Sequence, residues 1–205
     1  MGNTVPFIHS RLSPSTTKQS HQETIADIEC GALAIAAKEK EQAQAVEQAD
    51  PEILEEGTHF HKLLEFLTPH SGSQTTALMP SEQELMNWLS IDQERAKKLM
   101  ERVQLVMDAP ILKPYLTDNQ WVQAWNEIDI ADEQGKSYRM DRLVEFDDHL
   151  AILDYKLTIP EEDDEKYDKY RKQLQGYQAE LARIRKDKPN KAFLISSKGD
   201  LKEVI

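Results

Sequence analysis

The stretch 138-YRMDRLVEFDDHLAILDYKL-157 decides how the chain folds. It holds two runs of alternating apolar and polar residues on either side of Asp147-Asp148, a pair of residue types suited to a two-residue hairpin turn. With that turn, Phe146 pairs with His149. Leu143 then falls opposite Ile152, Asp141 opposite Asp154, and Arg139 opposite Lys156. The period of two puts Leu150, Ile152, Asp154 and Lys156 on one face, which their apolar members mark as partly buried. Directly opposed side chains have Cβ atoms roughly 4.5–5.5 Å apart, where like charges repel. Burying two carboxylates there costs more still. Two facing carboxylates beside a lysine therefore call for a compensating cation. Mg²⁺ is the natural candidate, because it takes carboxylate, carbonyl and water oxygens and needs few protein ligands. Taken alone, the same hairpin also reads as a strand pair with ordinary surface ion pairs.

Outward from the hairpin, residues 121–130, 137–146 and 149–157 read as three strands. A long helix follows over about 164–186, with Leu174, Tyr177, Leu181 and Ile184 inward. Residues 191–197 (KAFLISS) read as a buried strand, and Gly199 turns the chain into a short last strand over 201–205. Before the hairpin, Asp50-Pro51 supplies an N-cap and a first-position proline. The helix it opens, 51–68, carries Ile53, Gly57, Phe60, Leu64 and Leu67 as its buried stripe, with Leu54, Thr58, His61 and Glu65 alongside. Residues 70–81 read as a loop. Ser81 with Glu84 forms a capping box, and Asp92 caps a helix whose inward stripe is Ala96, Leu99, Val103 and Val106. Pro110 and Pro114 are expected to stop it. Residues 1–23 are Ser/Thr/Pro-rich and read as an arm or linker; 24–48 are helical by propensity. The expected organisation is an arm (1–23), a helical region (24–118) and a core of sheet and helix (119–205). The expected fold class is mixed α/β, a central mixed sheet flanked by helices with an αβββαβ order.

The 205 residues suffice for a core without disulfides or a structural metal. Cys30 is the only cysteine, which excludes an intrachain disulfide and a cysteine-ligated iron–sulfur cluster. No apolar run approaches the ~18 residues of a membrane span, and the N-terminus lacks the pattern of a signal peptide. The expected compartment is the cytoplasm. Net charge is −12, which opposes tight non-specific binding to nucleic acid. The charge is uneven: residues 157–205 carry 11 Lys+Arg and 10 Asp+Glu. A basic stretch, Arg183, Arg185, Lys186, Lys188 and Lys191, lies there and reads first as a solvated helix end. Gly135-Lys136-Ser137 ends like a phosphate-binding loop but lacks its first glycine, so no nucleotide site is expected. His59 and His61 point about 200° apart on a helix and do not share a metal.

Five short motifs stand in order: Gly57, His61, Leu64 and Glu65; Glu127 on the first strand; Asp141-Arg142; Asp154-Tyr155-Lys156; and Gln173 with Tyr177, which share a helix face with Tyr170. Together they closely resemble the PD-(D/E)xK nuclease superfamily, and most of all the RecB/AddA-type nuclease domain of bacterial helicase–nucleases, over about residues 50–205. Two positions depart from the family pattern: Leu157 stands where threonine often follows the lysine, and Tyr138 where glycine is common.

The resemblance implies a restriction-endonuclease-like core and a Mg²⁺-dependent deoxyribonuclease, with Mn²⁺ able to substitute. It implies exonuclease rather than endonuclease action in DNA end processing and recombinational repair. Single-stranded or duplex DNA ends would be the substrate, delivered by a helicase motor in cis or in trans, in a bacterial cytoplasm. His61, Asp141, Asp154 and the Tyr155 carbonyl would hold the ion, and Lys156 would act with Asp141 and Asp154 in catalysis. Glu65, Glu127, Gln173 and Tyr177 would support the site. Each has a plainer reading. His61 alone would be a half-exposed packing residue, and Glu127 an ordinary strand carboxylate. Glu65 would be a structural hydrogen-bonding group, and Gln173 and Tyr177 would brace the fold. Two other functions fit the same chain: a catalytically silent DNA-binding module of this fold, and a helical protein-interaction domain.

Overall fold

The structure, a computed structural model, describes residues 50–71, 77–117, 120–131 and 137–205. The expected arm, the expected helix over 24–48, the turn at Gly135 and the middle of the 70–81 loop lie outside the described residues. In chain order the elements are α1 (Pro51–Leu67), α2 (Glu82–Leu89), α3 (Gln93–Asp108), α4 (Lys113–Leu116), β1 (Gln123–Ala131), β2 (Ser137–Glu145), β3 (Leu150–Lys156), α5 (Glu165–Ile184), β4 (Asn190–Ser196) and β5 (Leu201–Val204). The strands form one sheet in the order β1-β2-β3-β4-β5. Only β3 and β4 run parallel, because α5 carries the chain back between them.

The hairpin register matches the two-residue turn. Phe146 N–H donates to the His149 carbonyl at 2.8 Å, and Leu143 pairs with Ile152 and Arg142 with Leu153. Alternation then sorts the sheet into two faces. Ala151, Leu153 and Tyr155 of β3, with Phe193 and Ile195 of β4, pack with Phe60, Leu63, Leu64 and Leu67 of α1 and the inward stripe of α3. Leu150, Ile152, Ala192 and Leu194 pack beneath Tyr167, Leu174, Tyr177 and Leu181 of α5. One core thus joins α1–α4 to the sheet, and Asp50–Ile205 is one compact unit.

The expected caps form. The Asp50 side chain accepts from Glu52 N–H at 2.9 Å, Asp92 from Arg95 N–H at 2.9 Å, and Ser81 and Glu84 cap each other. Three expectations need correction. Ile53 is 55% exposed, because the first turns of α1 meet α3 through ion pairs rather than apolar contact. Arg95 reaches Glu52 and Glu55 there, and Arg102 reaches Glu56 at 2.6 Å. Ile184 is 51% exposed, because it is the last residue of α5, past the turn that Leu181 buries. Pro114 does not merely stop α3: it sits in the first turn of α4, where its missing N–H has no partner to lose.

Gly199 has φ 83°, and a Cβ there would stand 3.0 Å from both the Ala109 Cβ and the Leu105 carbonyl oxygen. The β4–β5 turn therefore lies on the end of α3 only as glycine. Among the described residues, no helix is long and apolar enough to cross a membrane.

Candidate active site

The site lies where β1, β2 and β3 pass under α1, and it is opened by an interruption in the sheet. The β1–β2 ladder pairs Asn126 with Arg142 and Ile128 with Met140, but skips Glu127 and Asp141 between them. Glu127 has φ 49°, a left-handed conformation that costs a residue with a Cβ roughly 1–2 kcal/mol. The kink reverses the alternation. Trp125, Ile128 and Ile130 pack toward α5, whereas Asn126 and Glu127 both turn toward α1. On β2, Asp141 and Arg142 likewise both face the helical layer. The β2–β3 ladder ends at Arg142–Leu153, one step before the aspartates. Asp141 Oδ2 instead accepts the Tyr155 main-chain N–H at 2.7 Å, so a side chain ends the ladder.

His61 projects from α1 onto this opening. Its Nδ1 is 3.3 Å from Asp141 Oδ1, and its Nε2 is 2.6 Å from the Tyr155 carbonyl oxygen. The buried Tyr155 ring meets the imidazole edge-on, with centroids 5.8 Å apart. Burial by itself would lower the basicity of His61, but the Asp141 carboxylate outweighs it and holds the imidazole above its ordinary pKa. The pKa of Glu127 is raised as well, by burial, and the Arg139 guanidinium partly offsets that. Atoms of His61, Glu127 and Asp141 lie within 4.8 Å of one another. One imidazole nitrogen and two carboxylates suit a hard or borderline divalent cation. The residues present therefore fit a metal. The cavity over them holds about 440 Å³ and is also lined by Gly57, Lys62, Glu65 and Arg139.

Asp154 and Lys156 lie on the α5 face of β3, as the alternation predicts. Lys156 Nζ is 2.5 Å from Asp154 Oδ2 and 4.8 Å from the centre of the Tyr170 ring. Burial raises the pKa of Asp154 against the pull of Lys156. Lys156 is held above its usual range by Asp154 despite its own burial. Asp154 is not one of the three donors that converge; Glu127 is. Of the remaining expected residues, Glu65 is exposed at the cavity rim. Gln173 Nε2 donates to the Tyr177 hydroxyl at 2.6 Å, which donates to the Arg139 carbonyl at 2.7 Å. That pair therefore holds β2 two residues before Asp141.

Three residues have roles that the sequence reading did not assign to them. Arg139 pairs its Nε with Glu127 at the cavity. Asn126 donates to the Glu65 carbonyl, the Thr68 carbonyl and the Thr68 hydroxyl, each at 3.1 Å, pinning the end of α1 to β1. Arg142, fully buried, donates to the carbonyls of Tyr115 and Pro69, both at 2.9 Å, and to Asn126 Oδ1 at 2.6 Å. The one signal in the sequence was Asn126-Glu127, two consecutive polar residues inside a strand. The basic stretch lies at the other end of β3 and β4, where Leu150 pairs with Asn190. Two of its members are committed to Glu145: Arg185 at 2.8 Å and Lys188 at 2.7 Å.

A family model of the PD-(D/E)XK nuclease superfamily matches residues 32–204. No curated protein sequence matches the chain.

Proposed function

The chain belongs to the PD-(D/E)XK nuclease superfamily, and from that premise we propose that it is a divalent-metal-dependent DNA nuclease that uses the cavity beneath α1. The observation that carries this reading is the convergence of His61, Glu127 and Asp141 within 4.8 Å, beside a lysine ion-paired to a buried aspartate. The fold gains nothing structurally from placing the two carboxylates of β1 and β2 together.

His61 and Asp141 would hold the ion with Glu127 and the Tyr155 carbonyl, and Asp154 would complete its charge compensation from beneath. A divalent ion bound there supplies Lewis acidity to the scissile phosphate and lowers the pKa of an attacking water. Lys156 carries its ammonium on a stem held by Asp154 and Tyr170, which suits it to orient that water and to offset charge building on phosphorus. Gln173 and Tyr177 would keep the Asp141 segment of β2 in place, and Glu65 would bound the cavity.

In finer detail, we assign the chain to the RecB/AddA-type branch. Mg²⁺ would be its working ion, it would act as an exonuclease on DNA ends in repair and recombination, and a helicase motor in a bacterial cytoplasm would feed it. The ordered motif set supports that branch. The commitment of Arg185 and Lys188 to Glu145 supports a need for delivery, since those cations are not free for a phosphate backbone.

The test is to incubate the chain with linear single-stranded, linear duplex and closed circular DNA, in Mg²⁺ or Mn²⁺, with EDTA and Lys156→Ala as controls. Cleavage of the linear forms that needs the metal and falls by about 10²–10³-fold in Lys156→Ala is expected. Cleavage of the closed circle would make the enzyme an endonuclease. If calorimetry finds no binding of Mg²⁺ or Mn²⁺, the catalytic reading fails and the silent DNA-binding module stands.

A further inference from the structure

The pair Arg139–Glu127 has a place in this site that a structural ion pair does not explain. Arg139 lies directly across from Asp129 in the β1–β2 register, yet its guanidinium reaches diagonally to Glu127 at the cavity. Glu127 is the residue whose left-handed backbone turns its carboxylate inward beside His61 and Asp141. The Arg139 side chain is 61% exposed, against 21% for Glu127. Its main chain is held separately, through the carbonyl that the Tyr177 hydroxyl donates to at 2.7 Å. The backbone is anchored while the charged end has solvent to move into.

Resting on the metal-dependent reading above, we propose that Arg139 is a displaceable counter-ion, holding the Glu127 carboxylate in the metal-free protein and releasing it when Glu127 turns to a divalent cation, whereupon the freed guanidinium takes a phosphate of the DNA strand. Two carboxylates brought this close repel one another unless positive charge stands beside them. The guanidinium fills that need from outside the cavity. A divalent ion is the stronger partner for Glu127 because it is shared with Asp141. Arg139 then faces a substrate at the mouth of the same cavity, and its planar fork fits a phosphate. Metal and strand binding become coupled, since occupancy of one frees the residue that serves the other.

The test uses the full chain with Ca²⁺ or Mn²⁺ in calorimetry, and a short single-stranded oligonucleotide in fluorescence anisotropy with Ca²⁺ present or with EDTA. Glu127→Gln is expected to weaken metal binding about tenfold. Arg139→Ala is expected to tighten it three- to tenfold, a gain that misfolding cannot produce. In the Glu127→Gln background that gain should vanish, which separates a direct competitor from a distant positive charge. For DNA, Arg139→Ala should abolish the enhancement by Ca²⁺ and lower the salt slope by about 0.7, one phosphate contact on a single strand. An Arg139→Ala variant with unchanged or weaker metal binding overturns the proposal, as does a gain that persists without Glu127. If the wild-type chain binds neither Ca²⁺ nor Mn²⁺, the metal-dependent reading falls and this proposal falls with it. If it binds them and both variants bind as the wild type does, only this proposal falls.

Discussion

His61 Nε2 lies 2.6 Å from the Tyr155 carbonyl oxygen, so two groups assigned to one cation are hydrogen-bonded to each other. Only a protonated nitrogen can donate in that bond, while Nδ1 faces Asp141 at 3.3 Å. The geometry favours an imidazolium, which agrees with the upward shift that Asp141 imposes. A cation must therefore displace a proton. Metal affinity should begin to fall above pH 6.5 on acidification, earlier than an ordinary histidine would make it fall. Calorimetry in buffers of differing ionisation enthalpy should show protons released on metal binding, in greater number as pH falls; a buffer-independent heat would contradict this. The metal-free protein has the opposite dependence. A histidine whose folded pKa is raised adds stability that is fully present below its unfolded pKa and is lost as pH rises through the folded value. The metal-free chain should thus lose a little stability from pH 6.5 upward, and His61→Gln should remove that slope from thermal melts.

Tyr177 acts on Asp141 only through the main chain of Arg139, which makes it a positioning residue. Tyr177→Phe removes two hydrogen bonds, each about 0.5–1.5 kcal/mol of stability. It should lower kcat about tenfold, while metal affinity stays within twofold. A fall in metal affinity equal to the fall in kcat would show that Tyr177 shapes the ion site itself. Gln173→Ala should give the same pattern more weakly, because it touches only the Tyr177 hydroxyl.

Arg142 stands beside Asp141 in sequence but does no chemistry here. Its three hydrogen-bond acceptors are uncharged, and burial pushes its pKa down. Replacing it with methionine leaves those acceptors buried without donors. Arg142→Met should cost at least about 2 kcal/mol, seen as a lower denaturant midpoint at constant slope. An unchanged midpoint would mean that water replaces the guanidinium.

Glu145 is expected to contribute to the acid limit of the fold. Arg185 and then Lys188 pull its carboxyl down to about 2, and it is only 7% exposed. A depressed carboxylate contributes stability above its unfolded pKa and loses it as pH falls through the folded one. Stability should hold above about pH 4.5 and decline between there and about pH 2. Glu145→Gln should remove about 1–3 kcal/mol at neutral pH and flatten the acid decline. A variant as acid-sensitive as the wild type would place that dependence elsewhere.

Much of this molecule was legible in one dimension. The period of two and the Asp147-Asp148 turn determined the β2–β3 register, because a two-residue turn fixes which residues of the two strands face each other. Asp50, Ser81 and Asp92 marked helix starts because their side chains satisfy N–H groups within three residues. Lys156 beside Asp154 followed from the same alternation. All these signals are local. The donor set was decided by tertiary structure. Strict alternation puts Glu127 and Asn126 on opposite faces, and only a left-handed residue at 127 brings both toward α1. That conformation is sustained by contacts reaching 58 to 61 residues back to α1, which no local pattern encodes. The basic stretch is governed by the same limit. Charges clustered in sequence at 183–191 are partly neutralised by Glu145, a residue brought to them only when β4 pairs beside β3.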